Sequence, residues 1–463
     1  MAGLRILITG MVVILIIQTP VAAVSASTGD MTGYDRKAIT VLLKQGKLDR
    51  LESFFTALTT ASLKSYEKER ELYQAFLAFE NSDPGLERIL KKWIAKKPDS
   101  YSSHVALGYY YLHSGWLARG GRFSDETWDD QFKGMADYFS LAVKSFKRAL
   151  EINDRPIPAY SGVISVATSN CDVVSINYIA KKVLSSRPAS SSIYTLLLHS
   201  MKPKWCGSIG MLTSLLKDIR KQYKKNPYLK IFEGYDEYAA ADSVKQDCQK
   251  SITILDALIR RNPNPLYLED RGDVYNYCID DERKSIADYT QALHVGPLRP
   301  RILADRAVAY YALKDFRRAL ANADEAILLD GNNPKALRVR GRIHYRERRY
   351  ESAIKDLEGS LRFGGFSYSA HKYLGYIYYK HRKDYAKAAI HLEQAIQLGS
   401  RSGKALYYLT KAFWYNKDCK LIWSAGEYLK HCATRSCKSK KLQWTQTALT
   451  AYRNVKKCES FQG

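Results

Sequence analysis

Gly341-Arg342-Ile343-His344-Tyr345, followed by Tyr350-Glu351-Ser352-Ala353, is the stretch whose reading decides the fold. Ala307 stands 34 residues before Gly341, and Gly375 stands 34 residues after it. Each small residue is followed by an aromatic pair or near-pair: Tyr310-Tyr311, His344-Tyr345 and Tyr378-Tyr379. Each set then meets a second aromatic with an alanine three residues on: Phe316 with Ala319, Tyr350 with Ala353, Tyr385 with Ala388. A period of 34 with small residues where two helices touch predicts helix–turn–helix units stacked along one axis. Such a stack presents a concave surface to a partner. The period itself contains no chemistry.

These units resemble the tetratricopeptide repeat. The resemblance implies an all-α fold, a right-handed α-α superhelix. Working outward, an earlier unit begins near Pro263 with Gly272, Tyr275, Tyr289 and Ala292, and the pattern runs to Gly399. Residues 263–400 are therefore expected to be repeats. Beyond Ser400 the pattern decays, although Leu406, Leu409, Phe413 and Trp414 still suit a first repeat helix. Residues 401–463 are expected to form a cysteine-rich helical cap, because a terminal repeat must turn one face to water.

Upstream, apolar residues recur at helical spacing through Ile39, Leu42, Leu43, Leu51, Phe54, Phe55 and Leu58. A helix is expected over Tyr101 to Arg119, with Gly108 and Tyr111 in the small-then-aromatic relation. Gly120 to Glu126 interrupts, and a helix resumes through Ala142, Phe146 and Ala149. The region 120–133 is thus expected to be an expanded inter-helix loop. Residues 33–262 form an N-terminal helical-hairpin region with degenerate repeats on this reading. Its stretches Trp93-x4-Pro98-x-Ser100, Ala106-Leu107-Gly108-Tyr109-Tyr110-Tyr111 and Trp116-Leu117-Ala118-Arg119-Gly120, with Pro203-Lys204-Trp205 later, resemble a bacterial family of uncharacterised function. That resemblance implies helical hairpins continued by tetratricopeptide repeats, and a bacterial source. It implies no activity.

The N-terminus has the form of a targeting segment. Arg5 is the only charge before Asp30, an apolar run extends from Ile6 to Ile17, and small residues follow Pro20. A signal peptide over residues 1–26, cleaved after Ala23 or Ala26, fits this layout. An uncleaved anchor is the alternative, and the run is short for a span of about 20 residues. The expected location is periplasmic or secreted. Eight cysteines agree with an oxidising compartment. Cys419, Cys432, Cys437 and Cys458 crowd the C-terminus and are expected to form two disulfides, with zinc as the competing reading.

The chain carries 72 Lys and Arg against 47 Asp and Glu, a net charge of +25. Anionic envelope surfaces, nucleic acid or an acidic protein would each exploit this, and so would plain solvation. Export argues against nucleic acid. The tetratricopeptide resemblance turns particular residues of each first helix toward the groove. In the unit from Pro334 these are Lys335, Arg338, Arg342, Tyr345 and Arg346. In the next they are Ser369, Lys372, Tyr376, Tyr379 and Lys380. In the preceding one they are Arg301, Ala304, Val308, Tyr311 and Ala312. The expected groove is basic and tyrosine-lined, suited to an acidic peptide or an anionic glycan. Carboxylate-clamp members of the family use Asn where Arg342 and Tyr373 stand here, so that clamp is not implied.

Nothing nominates an enzyme. No His-Glu-x-x-His, G-x-S-x-G, phosphate-binding glycine loop or dinucleotide fingerprint occurs. The acidic run from Asp125 to Asp130 lacks the alternation of a calcium loop and reads as a helix start. No cofactor or metal is expected. The leading functional expectation is an exported protein-binding scaffold. The alternatives are a basic adaptor on anionic polysaccharide or lipid headgroups, and an envelope enzyme using the 120–133 loop.

Overall fold

The computed structural model describes residues 35–81, 83–120, 129–205, 207–242, 247–296, 299–364, 367–434 and 439–453. Among them every regular element is a helix, and no helix is long and apolar enough to cross a membrane. The chain is an all-α superhelix of helical hairpins, with each helix packed on its sequence neighbours.

Local sequence sets the repeat boundaries. Asn264, Asn333, Ser367 and Ser402 cap four first helices, each accepting a backbone N–H in the opening turn, while Pro300–Ala312 starts at Arg299 with no side-chain cap. Asp281, Asp315 and Asp384 do the same for second helices. Between the two helices the chain turns through a left-handed residue: Asp280, Lys314, Arg348, Lys383 and Lys417. These positions follow one another at 34, 34, 35 and 34 residues. The last lies beyond residue 400, so the helices Gly403–Tyr415 and Leu421–Thr434 keep the hairpin geometry after the sequence pattern fades.

The small residues of the period let paired helices approach closely. A Cβ at Gly341 would lie 2.9 Å from Leu357, and one at Gly375 would lie 2.5 Å from Leu392. Apolar burial at these crossings holds each hairpin shut, at about 25 cal/mol per Å² removed from water. The N-terminal core is aromatic: Phe55, Phe76, Phe79, Trp93, Tyr109 and Phe146 are all fully buried together.

The region 120–133 differs from expectation. Residues 121–128 lie outside the described residues, but the helix Asp129–Ile152 already contains positions 129–133. Asp129 and Asp130 occupy its first turn, where their charge complements the helix dipole.

The superhelix also folds back on itself. The helix Arg36–Lys44 packs on the end of Phe316–Leu329. Lys44 Nζ donates to the Leu328 carbonyl at 3.2 Å, and Asn81 donates to the Leu329 carbonyl at 2.8 Å. The Gly331 N–H returns a bond to Asn81 at 3.3 Å, and His113 faces Asp330 at 3.8 Å. Lys37 reaches Glu325 at 3.7 Å. Orphan carbonyls at one helix end are thereby satisfied from about 250–290 positions away.

Cys248 and Cys278 are joined, with Cα atoms 6.1 Å apart, tying the start of one helix to the turn of the next hairpin. Cys419 and Cys432 each take part in a disulfide. Cys437 and Cys458 lie outside the described residues.

Candidate anion-binding groove

The helices Pro334–Arg346, Tyr368–Ile377 and Gly403–Tyr415 are consecutive first helices, and their exposed sides line a common surface. Arg338, Arg342 and Arg346 follow at four-residue spacing on one helix face. The Arg342 guanidinium lies 3.8 Å from the Tyr311 ring and 5.6 Å from that of Tyr373. Its Nε is buried and has no hydrogen-bond partner. Arg346 is exposed and lies 3.9 Å over Phe316. The Lys372 ammonium is 5.4 Å from the same Tyr373 ring. Lys380 sits 5.3 Å from Tyr408, which stacks on Tyr379 at 4.8 Å.

No described carboxylate pairs directly with these cations, although Asp305 acts on Arg338 from further off. Asp324 bonds to Arg340, Glu325 to Lys37, Glu347 to Arg349, and Glu351 to Arg382. Asp356 is taken by Arg340, and Glu358 accepts from Tyr378. Among the described residues, none of Arg338, Arg342, Arg346, Lys372 and Lys380 forms an ion pair. The electrostatics record the crowding. Burial pulls the Arg338 guanidinium below its ordinary pKa, and the neighbouring Arg342 adds to this. Burial also lowers Lys372, with Arg342 and Lys404 pushing the same way.

Two expected groove residues have other work. Lys335 donates to Asp305, whose side chain is only 1% exposed, and to the Tyr277 hydroxyl at 3.3 Å. Arg301 is similarly committed to Glu269, Asp273 and Asp305. These cations neutralise buried acids of the preceding hairpins. Tyr376 is 4% exposed and belongs to the core. Its hydroxyl meets Ser402 at 3.1 Å, while Tyr345 is half-buried 5.1 Å from Tyr373.

The groove also contains residues that the sequence reading did not place there. Lys404 lies 4.6 Å over Tyr376 and 5.9 Å over Tyr408. A signal for it existed: Lys335, Ser369 and Lys404 hold one repeat position at spacings of 34 and 35. Surface clefts of about 750, 790 and 740 Å³ lie elsewhere, beside the helices Asp129–Ile152 and Val173–Ser186. They contain paired ions such as Lys182 with Asp154, so the unbalanced charge marks the groove as the better candidate.

No described cluster of His, Cys, Asp or Glu has the makings of a metal site of three or more ligands. His371 and His391 face each other, Nδ1 to Nδ1, at 3.0 Å.

Residues 304–367 and 341–403 match the model of a tetratricopeptide repeat. Tetratricopeptide repeats are thus present within residues 304–403. Residues 35–173 match the model of a domain of unknown function, DUF4034. No curated protein shows significant sequence similarity to the chain. Solved structures that resemble it include the APC/C hetero-tetramer Cut9–Hcn1, at 13% identity and a TM-score of 0.43, with 92% of this chain and 90% of that one covered. PilW, a type IV pilus biogenesis factor, is 18% identical over 45% of this chain and 96% of its own, with a TM-score of 0.35. TTC0263, a tetratricopeptide protein of Thermus thermophilus, is 18% identical over 40% and 99%, with a TM-score of 0.30. Repeats of this kind suggest a protein-interaction scaffold in general type.

Proposed function

We propose that the chain is an exported, non-enzymatic scaffold whose basic, tyrosine-lined groove takes an acidic segment of a partner protein. The observation that carries the reading is that Arg338, Arg342, Arg346, Lys372 and Lys380 form no ion pair among the described residues, while Asp324, Glu325, Glu347, Glu351 and Asp356 are engaged by other cations. Like charges four residues apart on a helix repel by a few tenths of a kcal/mol per pair. An anionic ligand removes that cost. Arg forks suit carboxylates, and Tyr adds rigid apolar area at small entropic cost.

A labelled acidic peptide tests this by fluorescence anisotropy. Arg342→Glu is expected to abolish binding while leaving the melting temperature nearly unchanged. Equal binding by the variant would refute the groove. Docking on an anionic envelope polymer is the competing reading, and salt separates the two. Polymer binding through many charges collapses between low and high salt, whereas a peptide anchored on tyrosines persists. Export rests on the sequence of residues 1–26. N-terminal sequencing of the protein from a periplasmic fraction is expected to begin near Val24 or Ser27, and an intact Met1 on a membrane-bound chain would overturn it.

A further inference from the structure

The cations of the groove are not evenly spread. Arg342 and Lys372, on adjacent first helices, both lie against the ring of Tyr373, at 5.6 and 5.4 Å. Arg338 stands one turn before Arg342 on the same face. Tyr311 lies under Arg342 at 3.8 Å, so its phenol and that of Tyr373 border the same spot. The Arg342 Nε–H is buried there without an acceptor. Burial pushes the Tyr373 phenol up, yet Arg342, the adjacent Tyr311 hydroxyl and Lys372 together bring it below its ordinary value. Tyr311, its partner, is raised by burial and by Tyr373, so the nearby cations favour one phenol of the pair over the other.

Two cations and two hydroxyls border this point, and a third cation, Arg338, stands one turn away on the same helix face; together they are more than a single carboxylate answers. A carboxylate brings one charge and two acceptor atoms. A phosphate monoester brings about −1.5 to −2 charges and three acceptor oxygens, and it pairs with Arg through parallel hydrogen bonds. We propose that Arg338, Arg342 and Lys372, with the hydroxyls of Tyr311 and Tyr373, form a seat for a phosphate monoester on the bound peptide segment. This rests on the groove reading and specifies its ligand further.

The test compares a phosphoserine peptide with the same peptide carrying Glu at that position, at pH 7.5 and matched ionic strength. The phosphoserine form is expected to bind at least about tenfold tighter, as for added hydrogen bonds to charged groups. Inorganic phosphate should displace it, and acetate at equal ionic strength should not. Arg342→Gln should erase the difference between the two peptides. Arg342→Lys, which keeps the charge, serves if the Gln variant fails to fold, and should lose most of the preference with the bidentate geometry. Equal affinity of the two peptides, or no displacement by phosphate, overturns the phosphate seat and leaves the acidic groove standing. Failure of both peptides to bind overturns both readings. Displacement by a sugar phosphate that binds more tightly than the phosphopeptide overturns the peptide as the carrier.

Discussion

Arg340 holds Asp356 by two parallel hydrogen bonds, Nε to Oδ2 at 2.7 Å and a terminal nitrogen to Oδ1 at 2.9 Å. Arg271 grips Asp288 in the same way, at 2.8 and 2.6 Å. Between them in sequence, Arg306 meets Asn322 at 2.8 Å and Thr290 at 3.1 Å. The three arginines recur at 35 and 34 residues, so a clamp between the paired helices repeats with the period.

Breaking one clamp should cost stability. Asp356 is 4% exposed, and Asp356→Ala removes the two-bond partner of Arg340, leaving only Asp324 at 3.1 Å. A loss of about 2–3 kcal/mol is expected in urea unfolding, below the range for fully buried pairs. Asn322→Asp supplies the missing charge to Arg306, whose pKa burial has lowered, and should stabilise by about 1 kcal/mol. A loss in that variant would mean that the bond from Asn322 to the Arg318 carbonyl matters more.

Phe146 fills a slot that two glycines keep open. A Cβ at Gly108 would come within 2.4 Å of its ring, and one at Gly162 within 2.1 Å. Gly108→Ala and Gly162→Ala should each destabilise by about 1–3 kcal/mol through overpacking. Pairing either with Phe146→Leu should cost less than the sum of the single changes, a coupling that a double-mutant cycle measures directly.

The groove cations should separate into two classes under substitution. Lys335→Ala removes a partner of buried Asp305 and should destabilise by about 1–3 kcal/mol, with Arg301 partly compensating. Arg346→Ala removes only a stacked, exposed side chain and should cost under about 1 kcal/mol. Thermal melts of the two variants side by side decide this, and equal losses would contradict the assignment of Arg346 to ligand rather than to fold.

The His371–His391 pair makes the repeats acid-sensitive. Burial first, then the charge of His391, lowers His371 to about 4; burial and Lys387 lower His391, whose ring stacks on Tyr378. A base with a depressed folded-state pKa contributes stability above its unfolded value near 6.5, and that contribution drains away as pH falls toward 4. Burial raises Asp273 to about 6, and this carboxyl opposes the trend, since its contribution is present in acid and is lost as pH rises through 6. His371→Gln should therefore flatten the decline in melting temperature between pH 6.5 and 4 relative to wild type. An unchanged slope would exclude the pair as its source.

The repeats were legible because Gly341 and Gly375 are demanded by contact with Leu357 and Leu392, and such demands recur with the period. The arginine row was legible as well, since a helix face follows from spacing alone. The commitments of Lys335 and Arg301 were not, because they depend on acids of neighbouring hairpins. Tyr376 is a core ring for a related reason: Ser402 and Tyr408 of the next hairpin cover it. Of the hairpin at 403–434 only the first helix was legible, from Leu406, Leu409, Phe413 and Trp414; its turn at the left-handed Lys417 was not, since no residue type announces it. The return of the N-terminal helices left no trace at all, since a single contact between distant segments has no period.

That return sets the order in which the molecule can be completed. An ordinary repeat array grows like a zipper, each unit settling on the one before it. Here Lys44 must wait for Leu328, 284 positions later. At synthesis rates of about 5–20 residues per second, the wait is on the order of 15–60 s. Throughout it, the flank of the first helix destined for the far hairpin has no mate. Long-range closure of this kind slows folding and lengthens the exposure of sticky surface. The chain thus carries a seam that is sewn last, and holding the nascent N-terminal segment apart from other chains until then is part of what its folding requires.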